Sequence, residues 1–214
     1  MKRLALLAAL LCLPAAAEPP EAPLASALGV QIEKPAGDNL HFSQGSGVFL
    51  GGGLVLTAAH VVQVNPADPT VTVIMDGWRT QARIAARAAG GLDLALLKID
   101  PAELSSQRRA LSAVQLCTTG AAANQPVIVA ALGGVSLSHT VAAPISSPAL
   151  TGDWTDILAT GFGHGASGGG VFDAQKGCLI GILIIEATAP GVELTEFVPA
   201  AKIAPFLALA ARAG

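Results

Sequence analysis

The chain has no tyrosine, and aromatic residues make up only 4% of its 214 residues. An interior without large rings must be filled by Val, Leu, Ile and Ala, and the 52% hydrophobic content supplies them. Charge is also scarce at 13%, with a slightly acidic balance of −3. No basic run or patch is present, so nucleic acid and anionic membrane surfaces are not expected as partners. Low charge here does not mean disorder, which requires low hydrophobicity together with high net charge. There is no internal repeat and no low-complexity block. Only three cysteines occur, none beside paired histidines, so neither a zinc site nor any other cofactor is expected.

The first residues read as a segment apart from the fold. Lys2 and Arg3 give a positive start, Leu4 to Leu13 an apolar run, and Ala15-Ala16-Ala17 a small-residue cleavage site. The apolar run is about half the roughly 20 residues that a membrane crossing needs. Residues 1–17 are therefore expected to be a cleaved signal peptide. The protein would be exported, to the periplasm or outside the cell, with no membrane anchor after cleavage. Its removal leaves 10 basic against 15 acidic residues, a net charge of −5. It also leaves two cysteines, Cys117 and Cys178, which either form one disulfide or stay as two separate buried thiols.

Residues 18–27 are rich in proline and acid and read as a solvated leader. From residue 28 the pattern is β-like. Val30-Gln31-Ile32-Glu33 alternates apolar and polar. Gly47 to Leu50 and Leu54 to Leu56 flank a Gly51-Gly52-Gly53 turn, and Val71 to Met75 and Trp78 to Ile84 flank Asp76-Gly77. Leu94 to Ile99 follows. Pro101 to Ser112 is polar and reads as a connector, so residues 28–112 form a first β unit. Further short strands fill residues 113–199, at Pro126–Ala131, Ser136–Ala142, Ile157–Thr160, Gly170–Phe172, Leu179–Ile185 and Glu196–Val198. Residues 200–214, with Ile203, Phe206 and Leu207 at helical spacing, read as a terminal helix. Short strands between Gly and Pro turns indicate a sandwich or barrel rather than alternating strands and helices.

Three places carry chemistry. Thr57-Ala58-Ala59-His60 ends a strand. Asp93 stands 33 residues later at the head of an apolar strand, where a carboxylate needs a partner. Ser167 lies a further 74 residues on, in Gly161-Phe162-Gly163-His164-Gly165-Ala166-Ser167-Gly168-Gly169. A serine hydroxyl becomes a nucleophile when an imidazole accepts its proton, and a carboxylate can hold that imidazole in the correct tautomer. The N–H groups of Gly165 and Ser167 are candidates to bind the negative oxygen of a tetrahedral intermediate. Gly165-Ala166-Ser167-Gly168-Gly169 also fits the nucleophile elbow of α/β-hydrolases, but that fold needs a histidine after the serine, and none follows Ser167.

Gly45-Ser46-Gly47-Val48-Phe49 running into Thr57-Ala58-Ala59-His60, then Asp93-Leu94-Ala95-Leu96-Leu97-Lys98, then Gly165-Ala166-Ser167-Gly168-Gly169 resemble the chymotrypsin-like serine peptidases. Among these the chain is most similar to the bacterial periplasmic proteases of the high-temperature-requirement type. The ending, Gly191-Val192 then Phe197-Val198-Pro199 and a helix, is similar too. The resemblance implies an all-β fold of two six-stranded antiparallel barrels around a cleft, with a C-terminal helix. It implies a serine endopeptidase with His60 as base, Asp93 as orienting acid, Ser167 as nucleophile, and Gly165 with Ser167 as oxyanion donors. Substrates would be peptides or proteins; no oligomeric state follows.

Departures sharpen the expectation. Relatives activated from a zymogen carry an aspartate before the serine, and Ala166 stands there instead. The pocket-base position six before the serine is Gly161, which argues against selection of Arg or Lys. Ile184, Ile185 and Glu186 would line the pocket, Ile184 at a position often held by a polar residue, and His164 would sit at its rim. Gly170 replaces a usual proline. The trailing peptide-binding module of many periplasmic relatives is not expected. His41 and His139 read as surface residues. The competing reading is a protease-like scaffolding protein; it would be marked by a missing triad member, and none is missing.

Overall fold

The computed structural model describes residues 22–36, 42–65, 67–75, 77–141, 156–189 and 192–213. The expected signal segment, His41 and Gly191 lie outside them. Twelve described strands divide into a closed barrel and a six-stranded sheet.

The barrel contains β1 (Gly29–Pro35), β2 (Phe42–Gly51), β3 (Leu54–Thr57), β4 (Thr70–Met75), β5 (Trp78–Arg87) and β6 (Ala95–Ile99). Its order is β1-β2-β3-β6-β5-β4, and β1 closes it by pairing with β4 at Gln31–Ile74, Ile32–Val73 and Glu33–Thr72. Strand side chains alternate between faces. In β1 this sends Val30 and Ile32 into the core against Val48, Phe49, Val55, Leu56, Val71, Val73, Leu97 and Ile99. Cutting one such Leu or Ile to Ala typically removes about 2–5 kcal/mol. Lys34 falls on the same inward face and is fully buried. Its Nζ donates to the carbonyls of Asp68 and of Thr70 (2.8 Å), with the Asp68 carboxylate 3.8 Å away, which satisfies a charge that would otherwise be costly inside.

The second unit contains β7 (Pro126–Ala131), β8 (Gly134–His139), β9 (Asp156–Leu158), β10 (Gly170–Asp173), β11 (Leu179–Ala189) and β12 (Val192–Pro199), in the order β8-β7-β10-β11-β12-β9. Among the described residues its ladder is a six-stranded sheet running from β8 to β9. Among the described residues, β8 and the end of β9 meet at a Thr140–Leu158 bridge, an Ala159 N–H to His139 carbonyl bond of 3.0 Å and a 2.9 Å hydrogen bond between the Ser138 and Thr160 hydroxyls. Strand β7 serves two cores, with Ile128 and Ala130 in the one that continues into the barrel, and Val127 and Val129 in the one around Val171, Leu183 and Phe197.

Two helices depart from the expectation, and a third is the expected terminal one. The later half of the expected leader is α1 (Ala22–Leu28), whose Ala22, Ala25 and Leu28 are buried at helical spacing. The connector contains α2 (Ser106–Ala110), capped by the Ser105 hydroxyl, which accepts from the Arg108 N–H at 3.2 Å. Arg108 is buried, lies over the Phe49 ring and donates to the Ala27 carbonyl. The Val114 N–H bonds to Leu50 in the barrel, while Gln115 accepts from Leu179 in the sheet, so the chain crosses between the units at residues 114–115. The terminal helix, α3 (Ala200–Ala213), buries Ile203 and Phe206. No described helix is long and apolar enough to cross a membrane.

Candidate active site

Strand pairing brings His60 and Asp93 together. Strands β3 and β6 pair antiparallel, ending at Thr57–Ala95, so the residue beyond one strand end meets the residue before the other. His60 sits in one 3₁₀ turn, Ala59–Val62, whose Val61 and Val62 are buried and pin the turn to the core. His60 Nδ1 and Asp93 Oδ2 are 2.6 Å apart, and the His60 backbone N–H donates to Asp93 Oδ1 at 2.9 Å. Both carboxylate oxygens therefore serve one residue and fix the ring, leaving Nε2 free for other work. The His60 side chain is 44% exposed and that of Asp93 29%. Burial pushes the Asp93 carboxyl up, but the hydrogen bond and charge of His60, with the backbone N–H groups of His60 and Ala59, outweigh it and hold the carboxyl below its ordinary range.

Ser167 lies on the loop between β9 and β10. The Ala166 N–H closes a turn onto the Gly163 carbonyl at 3.2 Å, with Gly165 at φ +87. A positive φ at the third position of such a turn favours glycine. Beyond the serine, Gly168 donates to Leu183 at 2.8 Å and Gly169 to Ala166 at 2.9 Å. Those of Gly165 and Ser167 have no acceptor among the described residues. The Ser167 Oγ donates to the Ile184 carbonyl at 3.1 Å, and no described hydrogen bond joins it to His60. Gly45 separates the two halves of the site. A Cβ on Gly45 would lie 2.5 Å from Val61, the neighbour of His60, and 3.0 Å from the Ser167 carbonyl.

Around the serine, Gly161 is half-buried, Ile184 buried and His164 exposed; the side chains of Ile185 and Glu186 lie outside the described set. Thr195 Oγ1 ties the loop to β12, accepting from the Phe162 N–H and donating to the Thr160 carbonyl, each at 2.8 Å. Cys117 and Cys178 form a disulfide with a Cα separation of 5.1 Å. With Asp173 they bring donor atoms within 4.8 Å of one another, but both sulfurs are bonded to each other and not available to a metal. An apolar groove of about 450 Å³ lies elsewhere, between α3 and the segment holding Ala86 to Leu92, and none of the three residues lines it.

Residues 45–182 match the family model of the trypsin-like peptidase domain, a span that holds His60, Asp93 and Ser167. The chain belongs to the trypsin-like peptidases. It is a serine peptidase, and its substrates are peptides or proteins. Among solved structures, this trypsin-like peptidase is similar to the active form of the Rv3671c protease of M. tuberculosis, at 21% identity and a TM-score of 0.70, over 89% of this chain and 83% of that one. The inactive form of the same protease matches at 20% identity and a TM-score of 0.68, over 89% of this chain and 92% of that one. No curated protein sequence matches the chain.

Sequence reasoning overlooked Ser46. Its side chain is fully buried, and it contacts the Ser167 loop at two points. A lone hydroxyl entering an apolar run was the available signal.

Proposed function

We propose that Ser167 is the nucleophile of this peptidase, His60 its general base, and Asp93 the acid that orients His60, with the Gly165 and Ser167 N–H groups as oxyanion donors. The observation that carries this reading is the 2.6 Å hydrogen bond from His60 Nδ1 to Asp93. It commits one ring nitrogen to the carboxylate and leaves Nε2 to take the serine proton. The N–H groups of Gly165 and Ser167, without an acceptor among the described residues, support the rest.

In the proposed cycle the Ser167 hydroxyl turns from the Ile184 carbonyl toward Nε2 and attacks the substrate carbonyl carbon as its proton passes to His60. The carbonyl oxygen takes the negative charge and accepts from Gly165 and Ser167. The C–N bond then breaks, His60 returns the proton to the leaving amine, and an acyl-enzyme remains. Water, deprotonated by His60, releases the acid and restores Ser167. Each oxyanion donor is typically worth about 3–4 kcal/mol of barrier.

Gly161 and the buried Ile184 support a preference for small or medium apolar side chains before the cleaved bond, within a pocket that also involves Ile185, Glu186 and, at its rim, His164. Export to the periplasm or beyond is supported by the apolar segment at Leu4 to Leu13 and by the Cys117–Cys178 disulfide, which persists in oxidising compartments. The test is labelling of the folded protein with a fluorophosphonate, followed by peptide mapping. A single adduct on Ser167 is expected. An adduct elsewhere, or none while a control peptidase is labelled, overturns the assignment. A cleavage profile dominated by Arg, Lys or Glu overturns the pocket reading alone.

A further inference from the structure

The loop around Ser167 is anchored from outside its own sheet. Ser46, on β2 of the other unit, reaches it. Its Oγ donates to the Gly165 carbonyl at 2.8 Å and accepts from the Leu132 N–H at 2.9 Å. Its own N–H donates to the Ser167 carbonyl at 2.8 Å. Its carbonyl accepts from Thr57 Oγ1 at 2.7 Å, so the residue is itself held from β3. The approach is close: a Cβ on Gly168 would lie 2.0 Å from the Ser46 carbonyl oxygen.

We propose that Ser46 is a positioning residue for the oxyanion donors, its hydroxyl locking the Gly165 carbonyl so that the Gly165 N–H stays aimed at the same space as the Ser167 N–H. This rests on the assignment of those two donors made above. The peptide joining Gly165 to Ala166 is held at both ends, its carbonyl by Ser46 Oγ and its N–H by the Gly163 carbonyl. The peptide joining Ala166 to Ser167 is held through the Gly169 N–H on the Ala166 carbonyl. The peptide joining His164 to Gly165 has no hydrogen bond of its own among the described residues. Only the fixed plane next to it and the φ of Gly165 set its direction, and glycine is the residue with least intrinsic resistance to rotation there.

Leu132 completes the lock. It adopts φ +55, unusual for a branched aliphatic residue, and the Ser46 hydroxyl holds its N–H in that arrangement. The Leu132 Cδ2 then stands 2.6 Å from where a Gly165 Cβ would be, capping the turn. Both hydrogen-bonding capacities of the hydroxyl are used, one on each side, so alanine at position 46 leaves a donor and an acceptor unpaired and frees the mobile peptide.

The experiment compares wild type, Ser46→Ala, Ser46→Cys and Thr57→Val. Peptide hydrolysis is followed by fluorophosphonate labelling rates and by affinities for a peptide aldehyde and for the matching peptide amide. In Ser46→Ala, kcat is expected to fall on the order of 10²-fold with KM within about twofold, as for loss of an oxyanion donor. The aldehyde, which forms a tetrahedral adduct, should lose affinity by the same factor, and the amide should not. Ser46→Cys keeps the volume but offers only a weak donor, and should lie between. It decides the matter if the alanine variant does not fold. Thr57→Val removes the hydroxyl that holds the Ser46 carbonyl from β3, and should shift the aldehyde-to-amide ratio in the same direction as Ser46→Ala but by a smaller factor. A folded Ser46 variant with unchanged kcat and ratio overturns the proposal while leaving Ser167 as nucleophile. A wild type that does not label overturns both.

Discussion

In the barrel, β1 is hydrogen-bonded to both β2 and β4, so every strand has two neighbours, whereas in the second sheet β8 and β9 share one bridge at Thr140 and Leu158. The two halves hold their chemistry in correspondingly different ways. His60 and Asp93 follow directly from one ladder: wherever β3 and β6 pair at Thr57–Ala95, the two side chains meet. Ser167 stands on a loop of the sheet whose described edge strands share little pairing, and that loop is secured from outside its own sheet by Ser46. A disulfide reinforces the same half. Local pairing suffices to place His60, while Ser167, the proposed nucleophile, depends on contacts distant in sequence.

The largest effect that would break this picture concerns the loop. Ser167→Ala should lower peptide hydrolysis by about 10⁶-fold in kcat. The hydroxyl makes one described hydrogen bond, to the Ile184 carbonyl, so the melting temperature should scarcely move. Residual turnover near wild type would place the nucleophile in some other part of the chain. Next in size is Asp93→Asn. The amide keeps the shape but presents N–H where His60 Nδ1 needs an acceptor, and kcat should fall by about 10⁴-fold. If β3 and β6 hold the pair as argued, the variant will fold with its barrel intact, which a crystal structure or amide exchange of β3 and β6 reports directly.

The third separates the halves by stability. Cys117 and Cys178 are 61 residues apart, and in the chain-entropy picture closing that loop is worth about 4 kcal/mol. Cys117→Ala with Cys178→Ala, or reduction of wild type, should therefore lower the unfolding free energy by that order. Amide exchange should accelerate first in β10 and β11, which the disulfide ties to the segment at Leu116, and later in the barrel. Uniform acceleration across both units would mean that they unfold as one body.

The sequence discloses the parts of the fold that are local. Gly51 to Gly53 marks the β2–β3 hairpin, and the alternation in Val30 to Glu33 marks β1, because turns and period-two burial are written within a few residues. His60 and Asp93 are legible because each stands at a strand end. The anchoring role of Ser46 is not legible: its partners Leu132 and Gly165 lie 86 and 119 residues away, beyond any pattern in a window. Helix α1 is hidden by the composition around it, since prolines and glutamates between Glu18 and Pro23 obscure the spacing of Ala22, Ala25 and Leu28. Lys34 is an inward position occupied by a charge, which alternation alone places correctly and hydropathy does not.

The smallest effect distinguishes the halves by their carboxyls. Asp93 in the barrel has a carboxyl held below its ordinary value near 3.8, so the stability it contributes is present above that value and is lost as the pH falls through its lowered folded one. Asp156, on the edge strand β9, is shifted the other way: burial raises its carboxyl, and no described group offsets it. Its contribution is greatest below the unfolded value and is lost as the pH rises through the raised folded one, so at neutral pH the ionised group weakens the edge where the sheet is least closed. Asp156→Asn should therefore raise the melting temperature modestly at pH 7 and leave it nearly unchanged at pH 3. Asp93→Asn should behave oppositely, with its stability loss present at pH 7 and fading toward pH 3. Melting curves of the two variants across that range test the contrast, and equal pH profiles would mean that Asp156 has a partner at the sheet edge as effective as His60 is for Asp93.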